Sequence, residues 1–99
     1  MIRGTTPKLE FTLPFDTDEI AEAFVTLAQD DVVLVDKALT DCKCDERKLS
    51  VKLTQDDTLK LSCDCKTDIQ IRIRTKAGDA LASDITRVNT DRILKDGVI

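Results

Sequence analysis

The alternation of Ile69, Ile71 and Ile73 with Gln70, Arg72 and Arg74 constrains this chain more than any other stretch. A period of two, with β-branched residues on one parity, describes a strand with one apolar and one polar face. Lys76-Ala77-Gly78-Asp79 follows. Its Gly-Asp pair predicts a reversal that brings Ala80 to Thr90 back beside the strand. A half-buried ladder of this kind needs further strands to cover its isoleucines.

The rest of the sequence supplies them. Leu9, Phe11 and Leu13 alternate with Lys8, Glu10 and Thr12, and Pro14 then ends a strand suited to a sheet edge. Ile20 to Gln29 is open to two readings. Asp16 followed by Glu19 resembles a helix cap, with Ile20, Phe24 and Leu27 on one helical face. As a strand, the same segment places Ala21, Ala23, Val25 and Leu27 on one side. It could then pair through an Asp30-Asp31 turn with Val32 to Leu39. Thr40 to Lys48 reads as a charged loop, and Leu49, Val51 and Leu53 as another strand. Thr54 with Asp57 three residues on predicts one capped helical turn, after which Leu59 and Leu61 turn inward. The returning strand breaks parity among Leu81, Ile85 and Val88, which places a bulge or bend at Ser83-Asp84. Met1 to Thr6 reads as a loose lead-in.

Ninety-nine residues form a single domain, residues 1–99, able to bury somewhat over ~60% of its unfolded surface. Only three aromatic residues are present (Phe11, Phe15 and Phe24), so the predicted core is aliphatic. Six or seven short antiparallel strands and one helical turn near Thr54–Leu59 make an all-β sandwich of immunoglobulin-like size.

Several classes of function are disfavoured. The chain has no histidine, which removes Ser-His-Asp and Cys-His nucleophile pairs and histidine-based zinc chemistry. Its three glycines make no phosphate loop. No catalytic residue is assigned, and the reading is non-enzymatic. The net charge of −4 argues against nucleic acid, and no apolar run is long enough for a membrane span. The N-terminus lacks the apolar core of a signal peptide. The expected location is a reducing cytosol, left only by assembly or lysis, where the cysteines stay reduced.

Cys42-Lys43-Cys44 and Cys63-Asp64-Cys65 form two CxC pairs with 18 residues between them. Four thiolates can close a tetrahedral zinc site without histidine. The spacing argues against one, because the usual knuckle is CxxC and the flanking residues are those of exposed loops. Free thiols are the expectation and a four-cysteine zinc-binding adaptor the alternative. A disulfide within one CxC would be strained.

Four stretches together resemble small proteins encoded in the structural-gene regions of tailed phages and prophages of Gram-positive bacteria. They are Met1–Pro7 with Phe11–Asp16, Leu53–Leu61, Ile69–Arg74 and Arg92–Ile99. The resemblance implies an immunoglobulin-like module of the tail or baseplate type, and it favours the strand at Ile20–Gln29. It also implies a virion structural or assembly component whose partners are other phage proteins or further copies of itself. The candidate contact residues are Arg72 and Arg74 on the polar strand face, and Ile93, Leu94, Val98 and Ile99 in the apolar tail.

Overall fold

A computed structural model describes residues 1–99 as an all-β sandwich. Eight strands form two antiparallel sheets: β1 (Lys8–Thr12), β2 (Ile20–Gln29), β3 (Val32–Ala38), β4 (Cys42–Asp45), β5 (Lys48–Lys52), β6 (Thr67–Thr75), β7 (Ala80–Ala82) and β8 (Thr86–Val88). One helical turn, α1 (Gln55–Leu59), follows β5. The smaller sheet has the order β1-β5-β4. The larger has β3-β2-β6-β7, with β8 also paired to β6. No helix is long and apolar enough to cross a membrane.

Apart from β2, the first seven strands follow the immunoglobulin constant-type partition, in which the second strand lies between the first and fifth. Here β2 lies between β3 and β6 instead. The cause is local. Asp30 and Asp31 both take positive φ, 49° and 64°, and Gln29 pairs directly with Val32. A two-residue turn of that hand holds β3 hard against β2, so both must share a sheet.

The Ile20–Gln29 segment is a strand, as the hairpin reading expected. The capping signal at Asp16 survives as one 3-10 turn, Thr17–Glu19, with Asp16 accepting a hydrogen bond from the Asp18 N–H. Pairing on both sides, with β3 and β6, outweighs the local helical preference. A register shift between Ile20 and Glu22 lets Ile20 as well as Ala23, Val25 and Leu27 face the core.

The core is aliphatic. Val25, Leu27, Ile69, Ile71 and Ile73 of the larger sheet meet Leu49, Val51, Leu53 and Leu61 from the other side. Thr54 and Asp57 make the expected capping box on α1, and Leu61 is buried immediately after it. Asp57 also pairs with Lys37 of β3 at 2.8 Å, which ties α1 to the larger sheet.

Three expectations need correction. Thr40–Lys48 is not a loop: it contains β4, which pairs with β5 through a turn at Glu46-Arg47. Glu46 has φ 53°, and its carbonyl accepts hydrogen bonds from both the N–H and the hydroxyl of Thr17, each at 2.7 Å. The lead-in is not loose. The Met1 amino group donates to Asn89 O at 2.7 Å, and Arg3 caps the end of α1 through Leu59 O and Leu61 O. The strand count rises to eight because β4 is added and the return after Gly78 splits into β7 and β8. Ser83 fills the break, donating its N–H to Ile71 O and accepting from the Ile71 N–H on its hydroxyl.

Candidate functional site

The two sheets do not close equally on their two sides. At the β3–β4 side the chain itself joins them through a 3-10 turn, Leu39–Asp41. At the opposite side β1 and β7 are both free edges, and an open apolar groove of about 510 Å³ lies between them. Its floor is Ile71 and Ile73 of β6, both on the inward parity of that strand. Its walls are Phe11 and Leu13 on one side and Leu81 on the other, with Phe15 beyond Pro14 at the rim. β7 is only three residues long, so Leu81 faces inward without a neighbour to bury it and stays 44% exposed. Glu10 is the single ionisable residue of the lining. The groove therefore offers apolar contact and unpaired strand edges, with no pair of acid and base groups.

The outer face of the larger sheet carries the predicted arginines. Arg74 is paired with Glu22 at 3.3 Å, both exposed. Arg72 lies opposite the half-exposed Phe24 on β2, with no carboxylate in ion-pair reach. On the same face Arg87 makes two hydrogen bonds to Asp68, at 2.7 and 3.3 Å. Those bonds, and then the Arg87 charge, hold the Asp68 carboxyl below its ordinary range.

The tail is placed elsewhere, across α1 and the N-terminal segment, and adds no strand to either sheet. Ile93 lies over Gly4 and Leu59, where a Cβ on Gly4 would come within 2.8 Å of the Ile93 Cδ1. The Gln55 amide donates to Ile99 O and accepts from the Ile99 N–H. Leu94, Val98 and Ile99 remain exposed, Leu94 at 95%. The arginines and the tail therefore do not form one surface, and neither lines the groove.

The two cysteine pairs are also separate. Cys42 and Cys44 lie on β4 opposite Val51 and Leu49, on the inward parity of the small sheet. Burial, and then the nearby Cys44 and Asp41 charges, push the Cys42 thiol up. Cys65 sits after α1 and donates its thiol to Asp30 Oδ2 at 3.1 Å, which pushes it up as well. All four are free, and no three His, Cys, Asp or Glu side chains gather as metal ligands.

Reading the sequence missed Phe11, Phe15 and Leu81 as a site. The available signal was the phenylalanines. The buried core contains none of the three, so the chain's largest apolar side chains stay at or near the surface. Comparison with known proteins adds no relative: no protein-family model, no curated protein and no solved structure matches this chain.

Proposed function

We propose that the protein is a non-catalytic docking module, a structural or assembly component of a tailed phage or prophage particle. The observation that carries the docking reading is the apolar groove between the free edges β1 and β7. An extended segment of a partner protein can add main-chain hydrogen bonds to such an edge while alternate apolar side chains enter the groove. The phage context rests on the resemblance of the stretches named above, which are spread along nearly the whole length of the chain.

The test is recovery of the protein with phage particles or their assembly intermediates, induced from a strain carrying the gene and followed by mass spectrometry. Leu81→Arg puts a charge on the groove wall at an already half-exposed position, so the fold is retained. The wild-type protein co-sediments with the assemblies, and Leu81→Arg, with an unchanged melting temperature, is lost from them. Recovery of the wild-type protein only as free chain, or equal retention of the variant, overturns the reading.

A further inference from the structure

We propose that the chain also pairs with itself: two copies join antiparallel through β1, centred on Leu9, with Lys8 of each copy opposite Glu10 of the other. This rests on the docking reading and names a second copy as the occupant of the β1 edge.

The backbone bonds of β1 set the possibilities. Leu53 N–H donates to Pro7 O at 2.9 Å, and Leu13 N–H donates to Arg47 O at 2.8 Å. In an antiparallel pair alternate residues exchange bonds, so Pro7, Leu9, Phe11 and Leu13 turn their backbone groups toward β5. Lys8, Glu10 and Thr12 therefore turn theirs to the free edge. Pro14 occupies the next outward position and has no N–H, so the usable edge stops there.

Three two-fold registers are centred on the middle residues of β1 and match outward residues to outward residues. Centring on Glu10 sets the two Glu10 carboxylates face to face. Centring on Phe11 sets Lys8 against Pro14 and loses a donor. Centring on Leu9 gives two Lys8–Glu10 pairs and brings the half-buried Leu9 side chains together on the inner face. Lys8 has no ion-pair partner within the chain, and Glu10 has only the exposed Lys48 at 3.6 Å. Charge complementarity thus selects one register.

The other edges are guarded. β3 carries a register shift at Leu27/Ala28 and directs Lys37 to Asp57 beneath it. β7 has three residues, and β4 has four with Lys43 and Asp45 exposed. β1 pairs with β5 over five residues without a shift, and its exposed charges, Lys8 and Glu10, flank the half-buried Leu9 with opposite sign. The two-fold arrangement is isologous and would make a six-stranded sheet, β4-β5-β1-β1-β5-β4.

Sedimentation velocity and native mass spectrometry on the full chain test this with Lys8→Glu, Glu10→Lys and an equimolar mixture of the two. The wild type is a dimer. Each single variant keeps the wild-type melt at concentrations where both are monomeric, and dimerises at least about tenfold more weakly, because both cross-strand pairs become like-charged. The mixture forms a heterodimer, since every pair across the two-fold is again opposite in sign. Glu10→Pro removes one outward N–H and leaves the β1–β5 ladder intact, so it is folded and monomeric. A wild type that stays monomeric up to about 1 mM overturns the proposal, as does a mixture without heterodimer or a dimeric Glu10→Pro. None of these results depends on Leu81, so the docking reading stands or falls on its own test.

Discussion

Gln29 shows how much one side chain can organise. It ends β2 pointing inward and is 5% exposed. Its Oε1 accepts from the Ser62 N–H at 2.7 Å, and its amide nitrogen lies within 2.8–3.4 Å of Ser62 O, Cys65 O and the hydroxyls of Thr67 and Thr90. The Thr67 and Thr90 hydroxyls bond each other at 2.6 Å. One amide therefore fastens the loop after α1, the start of β6 and the segment before the tail to the end of β2. Gln29→Leu keeps the volume but strips partners from buried backbone groups, and should cost about 2–3 kcal/mol in urea unfolding. A loss under about 0.5 kcal/mol would show that water replaces the amide. None of this was legible in the sequence. Gln29 stood there as the last polar residue before a turn, and its partners are separated from it by 33 to 61 positions.

Among the elements, α1 is the best-predicted and the most consequential. Five residues are too few to hold a helix by propensity, and the Thr54–Asp57 capping box supplies the local support. The same Asp57 carboxylate binds Lys37, so one residue caps α1 and fixes it to β3. Burial works against the Asp57 charge. Hydrogen bonds from Lys37 and Thr54, with the Lys37 charge, outweigh it and hold the carboxyl below its ordinary value. The folded state thus ionises this group at lower pH than the unfolded chain does, where the pKa is about 3.9. Its stabilisation is complete above that value and is lost as pH falls through the folded pKa. Asp68, lowered by Arg87, acts with the same sign. Urea midpoints of the wild type should therefore fall with acidification below about pH 5. Lys37→Met should be less stable near neutrality by about 1–2 kcal/mol and should show a shallower fall. An identical slope in the variant would remove the ion pair from the account. The strands divide in the same way. β1, β5 and β6 were legible from their alternation, whereas β2 read equally well as a helix. β4 was not, because Cys42-Lys43-Cys44-Asp45 has little β character and Glu46-Arg47 carries no turn residue. That hairpin is held by Thr17, 29 positions away.

For the molecule as a whole, the two sheets are joined edge to edge by the turn between β3 and β4 and stay open between β1 and β7, and the four cysteines are divided between β4 and the loop after α1. A four-sulfur metal site would have to gather both pairs. A chelator should leave the melting temperature unchanged, and a thiol reagent should titrate four free thiols after unfolding. A melt lowered by several degrees would mean that the pairs come together around an ion.

Local patterns in the sequence were enough for the all-β class, the inward parity of Ile69, Ile71 and Ile73, the edge position of β1, the helical turn at Thr54 and the bend at Ser83. Each rests on a period, a cap or a turn that acts within a few residues. The rest came only with the assembled fold. It made a strand of Cys42–Asp45, anchored Met1 to Arg3, laid the tail over α1 and left a groove between β1 and β7. All of these depend on groups far apart in the chain finding one another, and on two edges that nothing within the chain covers. A local pattern can say that a strand has an apolar face, but only the assembled sheets show which part of that face remains open.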